Sequence, residues 1–148
     1  MRKILITIIT FMCLITLTAC ANKVALSNEE LTSKLNDLGF DVKDITDNME
    51  DSNVNVVKTA NNGKYQMEYY VFKSQEKAKE AYKNNKKTLS SNKKYEGKST
   101  GKDNYEKYVQ ETDGSYNSVI RIDNTMIYVS VNIDYKKDVK KVLNKLGY

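Results

Sequence analysis

The chain has 148 residues, with 24 Lys or Arg against 19 Asp or Glu for a net charge of +5, and no histidine, proline or tryptophan. Without histidine it lacks the commonest general base and the commonest transition-metal ligand, which excludes serine- and cysteine-type triads and imidazole-based metal centres. Neither a Gly-rich phosphate loop nor a zinc motif is present, and Cys13 and Cys20 are the two cysteines.

In chain order, the first element is Met1–Cys20, MRKILITIITFMCLITLTAC. Arg2 and Lys3 precede an apolar and threonine run, Ile4–Leu17. Fourteen helical residues rise roughly 21 Å, short of the ~30 Å hydrocarbon core, so the run fits a signal-peptide core better than a membrane span. Leu17-Thr18-Ala19-Cys20 resembles the bacterial lipobox, an aliphatic residue and two small residues before a cysteine. The resemblance covers these twenty residues and implies a bacterial lipoprotein similar to the small ones of Gram-positive bacteria. It implies cleavage after residue 19, diacylglyceration of Cys20 and an amide-linked acyl chain of the palmitate kind. Residues 1–19 are thus read as signal, 20–26 as lipidated cysteine and tether, and 27–148 as one domain. The implied location is the outer face of the cytoplasmic membrane.

Processing would leave 129 of the 148 residues and 22 bases against 19 acids, a charge of +3. It also removes Cys13 and blocks Cys20, so no disulfide is available and packing alone must stabilise the domain. Arg121 is then the sole arginine.

Ser27-x-x-Glu30 is a capping box, with Leu26 and Leu31 placed as a hydrophobic staple. Leu31, Leu35 and Leu38 form one apolar stripe, and Gly39 is set to end that helix. Phe40–Asp51 reads as strand, helix or loop, and its five acids suggest a solvated connection. A calcium loop is disfavoured because the acids recur at three rather than two and the sharp-turn glycine is missing. Asn53–Thr59 and Lys64–Lys73 read as strands joined at Asn62-Gly63. Ser74 opens a helix over Gln75–Leu89, and Ser90–Asn104 reads as a mobile loop. Strands at Tyr105–Thr112, Ser115–Asp123 and Met126–Ile133 form a meander, and Asp134 is placed to cap a last helix bearing Val139, Val142, Leu143 and Leu146. The hexapeptides Leu35–Phe40 and Leu143–Tyr148 look alike, through either a duplication or a shared helix cap.

Hairpin-joined runs predict an α+β two-layer domain, an antiparallel sheet of about five strands with helices on one face, in the order α-(β)-β-β-α-β-β-β-α. The uncovered sheet face would carry Asn117, Arg121, Tyr128, Ser130 and Asn132, side chains suited to a polar ligand such as a glycan or peptide. Lys73–Lys102 holds ten lysines and three acids, a local charge of +7. Within it Lys77, Lys83, Lys86, Lys87, Lys93 and Lys94 are candidate contacts to an anionic lipid or envelope polymer. With no catalytic motif, metal set or cofactor motif in view, the expectation is a non-catalytic binding module. Its partners would be membrane lipid through Cys20 and an envelope polymer or protein, not nucleic acid. The alternatives are an electrostatic binder acting through Lys73–Lys102 and, behind it, a carboxylate-dependent hydrolase.

Overall fold

A computed structural model of the protein describes residues 22–148. The expected signal segment and its cysteine, Cys20, lie outside the described residues. Helix α1, Asn28–Asp37, begins at the expected capping box: Ser27 accepts from the Glu30 amide, and the Glu30 carboxylate accepts from the Ser27 amide. Strands β1, Asp41–Asp44, β2, Val54–Asn61, and β3, Gln66–Phe72, follow as an antiparallel meander. Helix α2, Gln75–Leu89, is capped by the Ser74 side chain. Next come β4, Gly97–Lys102, β5, Tyr105–Glu111, β6, Ser115–Ile122, and β7, Thr125–Asn132. Helix α3, Lys136–Leu146, closes the chain.

All seven strands join one antiparallel sheet, ordered β1-β2-β3-β7-β6-β5-β4. The α+β class is as expected, but three details differ. The sheet has seven strands rather than about five, because Gly97–Lys102 pairs with β5 instead of forming a mobile loop. That hexapeptide, GKSTGK, has no apolar residue and is almost wholly exposed, so its backbone ladder alone makes it a strand. The acidic stretch resolves into the short edge strand β1 and a 3-10 turn, Thr46–Asn48. The last helix is preceded by a second 3-10 turn, Ile133–Tyr135, whose cap is the Asn132 side chain rather than Asp134.

The third difference concerns layers. Helices cover both faces of the sheet, not one. Leu31 and Leu35 of α1 and Val139, Val142, Leu143 and Leu146 of α3 join a core with Ala60, Met67, Tyr69, Ile120, Ile127 and Val129. Ala78 and Tyr82 of α2 pack on the opposite face with Phe72, Tyr108, Val119 and Met126. Strands β3, β6 and β7 therefore bury side chains on both sides, as a sheet covered on two faces requires.

The two similar hexapeptides form the same helix end. Gly39 and Gly147 both adopt a left-handed conformation, at φ 82° and 83°. The amides of Phe40 and Tyr148 reach back to the carbonyls of Leu35 and Leu143, at 3.0 and 2.9 Å, and both aromatic rings are buried. Helix α1 precedes its meander whereas α3 follows its own, so a common cap explains the likeness and a repeated unit does not.

The width of the sheet sets up the site. Seven strands at ~4.8 Å spacing span roughly 29 Å, while two helices of ~10 Å diameter cover about 20 Å. On the face shared by α1 and α3, the β4–β5 margin is therefore left open.

Candidate anion-binding cleft

That margin forms a cleft of about 780 Å³, lined by Glu96, Lys98, Thr100, Tyr105, Lys107, Val109, Glu111, Tyr116, Lys136 and Lys140. Strand alternation places every second residue of β5, Tyr105, Lys107, Val109 and Glu111, on the cleft floor. The register brings Thr100 opposite Lys107 and Lys98 opposite Val109, while Tyr116 is opposite Glu111 on the other side. Helix α3 forms the wall through Lys136 and Lys140. The volume falls within the range of small-molecule sites.

The charges in the cleft are unevenly paired. Lys136 donates to the Glu111 carboxylate in an ion pair. Among the described residues, Lys98, Lys107 and Lys140 have no carboxylate within ion-pair distance. Lys107 is half-buried; that burial, then the like charges of Lys23 and Lys140, push its pKa below the usual lysine value. The Lys140 ammonium lies 5.9 Å from the Tyr116 ring centroid and that of Lys23 lies 4.4 Å from the Tyr105 ring.

Tyr116 is fully buried, and among the described residues its hydroxyl has no hydrogen-bond partner. The Ser118 hydroxyl beside it is also unpartnered; it is near enough to favour the phenolate slightly, yet the two do not meet hydrogen-bond geometry. Burial is the larger influence on Tyr116 and raises its pKa. Leaving a buried donor unpaired is unfavourable.

The five residues expected on an open sheet face do not form one. Arg121 is 0% exposed and Asn117 is buried, because α2 occupies that side. Asn117 accepts from Ser130 at 2.7 Å, Tyr128 packs partly against the α2 core, and Ser130 and Asn132 are exposed near the far end of β7. Arg121 is spent on the fold. Its Nε donates to Glu106 at 2.8 Å, Nη1 to the Asp123 carbonyl at 3.0 Å and Nη2 to the Asp103 carbonyl at 2.7 Å. Both carbonyls belong to hairpin residues at positive φ, 56° for Asp103 and 51° for Asp123, so one guanidinium clasps two strained turns.

The lysine-rich segment does not form one patch either. Its helical part, α2, lies across the sheet from the cleft, whereas Lys98 of β4 lines the cleft. Lys77 pairs with Glu80, Lys94 pairs with Asp113, and Lys86 lies over the Tyr108 ring at 5.7 Å. Lys83, Lys87 and Lys93 are exposed and have no ion pair among the described residues.

Among the described residues there is no group of three or more metal-ligating side chains, and no helix is long and apolar enough to cross a membrane. Lys98, Lys107, Tyr116, Lys136 and Lys140 went unread as a site in the sequence. They come from three strands and a helix, and no local motif links them; the single hint was β5, where Lys and Glu alternate with Tyr and Val on one side. Compared with known proteins, the chain matches no protein family, no curated protein and no solved structure.

Proposed function

We propose that the protein is a lipid-anchored extracytoplasmic binding module, without catalytic activity, that takes an anionic ligand into the cleft between α3 and β5. The observation that carries this reading is Lys107, held half-buried between Lys23 and Lys140 with no carboxylate beside it. Holding a cation out of water next to two others is unfavourable, and a bound anion offsets that cost. A carboxylate-dependent hydrolase is the weaker reading, because Glu111 of the two cleft glutamates is already engaged by Lys136. The lipid anchor follows from the lipobox resemblance of Leu17–Cys20.

Calorimetric titration with inorganic phosphate tests the binding reading. The wild type is expected to bind, and the Lys107→Gln/Lys140→Gln variant to bind about 10- to 100-fold more weakly, given ~1.5–3 kcal/mol per charged hydrogen bond and partial compensation. Added salt should weaken the wild type more than the variant. Equal affinities for the two proteins, or an affinity indifferent to salt, would reject the cleft as the binding site.

A further inference from the structure

The stretch expected to serve as a tether, within residues 20–26, is in its described part strapped to the domain. The Asn104 side chain donates to the Lys23 carbonyl at 2.6 Å, and the Lys23 ammonium donates to the Gly147 carbonyl at 2.9 Å. The Tyr69 hydroxyl donates to the Leu26 carbonyl at 3.1 Å, and Ala25 and Leu26 pack against the core. Two residues separate Lys23 from Cys20, so the chain can carry the two no further than roughly 10 Å apart. Lys23 lies over Tyr105, at one end of the cleft.

Charged side chains line the cleft along its length. Gly97 is opposite Gln110, which puts Glu96 beside Glu111 at the end remote from Tyr105. Lys136 pairs with Glu111 at that end, Lys140 reaches the Tyr116 ring opposite Glu111, Lys98 and Lys107 occupy the middle, and Lys23 lies at the Tyr105 end. Val24, 82% exposed, projects an uncovered apolar side chain at that same end. The Tyr105 end of the cleft, with Lys23, is thus the end from which the tether leaves the domain.

We propose that the cleft holds the phosphate headgroup of an anionic phospholipid in the membrane that carries the anchor. This rests on the anion-binding, lipid-anchored reading above. The strap sets the domain close to the bilayer, the lysines meet headgroup phosphates, and Val24 meets the acyl boundary. Anchor and headgroup then bind the same surface, so each raises the effective concentration of the other.

The test uses the full lipidated chain in phosphatidylcholine vesicles, in the same vesicles with phosphatidylglycerol added, and in phosphatidylcholine vesicles with soluble glycerol phosphate. Flotation of the wild type against Cys20→Ala is read first and reports on the anchor alone; equal partitioning of the two would overturn the anchor reading. Acetylation of Lys107 and Lys140 by a water-soluble ester, with Lys83 across the sheet as reference, is then followed by mass spectrometry. The proposal expects both lysines to react roughly tenfold more slowly in the phosphatidylglycerol vesicles than in phosphatidylcholine alone. Equal rates in those two membranes overturn it. Protection by glycerol phosphate without protection by phosphatidylglycerol overturns the lipid source while sparing the anion-binding reading. No protection in any arm overturns both.

Discussion

Replacing Arg121 with alanine should lower the unfolding free energy by about 3–5 kcal/mol, the range for removing one partner of a buried ion pair. The side chain is 0% exposed, and each of its donor groups is used. Its loss would leave Glu106 without its cation and remove the donors that hold the Asp103 and Asp123 carbonyls. The two hairpins it joins also meet directly, through the Asp123 amide and the Asn104 carbonyl at 2.8 Å. Lysine at the same position would restore the charge but not the fork of three donors, so Arg121→Lys should recover only part of the loss. Urea unfolding of the three proteins measures this. A loss below about 1 kcal/mol for Arg121→Ala, the scale of an exposed ion pair, would return Arg121 to the role of a surface residue.

Alkaline pH should unfold the domain between about pH 10 and pH 12. Tyr82 and Tyr148 are buried, and burial is the largest cause pushing each pKa from 10 up to about 12. Tyr69 and Tyr70 shift upward for the same leading reason. The folded state therefore keeps protons that the unfolded chain releases near pH 10, and stability falls as pH rises from 10 towards 12. The contribution is complete below pH 10. A shift of two units corresponds to on the order of 2–3 kcal/mol, so two such tyrosines rival the whole stability of a small domain. Lys107 acts in the opposite direction: its lowered pKa makes its charge a burden that lifts as pH approaches 10.5. One lysine is outweighed by four tyrosines. The urea midpoint should hold or rise slightly up to about pH 9.5, then collapse by pH 12; a midpoint flat from pH 9 to 12 would show that the tyrosines are not buried.

The parts of the fold that could be read from sequence are those in which local chemistry and tertiary packing agree. Ser27 and Glu30 mark the start of α1, Ser74 marks that of α2, and the alternation of Ile127, Val129 and Val131 announces β7. Strand β4 was illegible because GKSTGK carries neither alternation nor apolar weight; its partner β5 makes it a strand. The layer count was misjudged because Tyr70, Phe72, Tyr108 and Met126 form the second core, yet they sit among polar neighbours on strands that look one-sided. Arg121 looked like a ligand contact for the same reason. An arginine on the polar side of a strand points to solvent only if nothing covers that side, and α2 does.

The candidate cleft depends on facts that no single segment holds. The lysines that line it on β4, β5 and α3 are separated by up to 42 positions, from Lys98 to Lys140, and meet because β4 returns to the sheet margin while α3 stops short of it. The charge surplus of Lys73–Lys102 was visible, but chain position did not show that Lys98 and the α2 lysines face opposite sides of the sheet. The lysine row Lys79, Lys83 and Lys87, exposed along α2, remains the competing basic surface.

Nitrogen-15 spectroscopy of the lysine side chains during phosphate titration separates these two surfaces. Binding in the cleft predicts saturable shifts for Lys98, Lys107 and Lys140, with Lys107 titrating below the usual lysine value before phosphate is added and returning upward once it is bound. Shifts confined to Lys79, Lys83 and Lys87, with the cleft lysines unmoved, would contradict it.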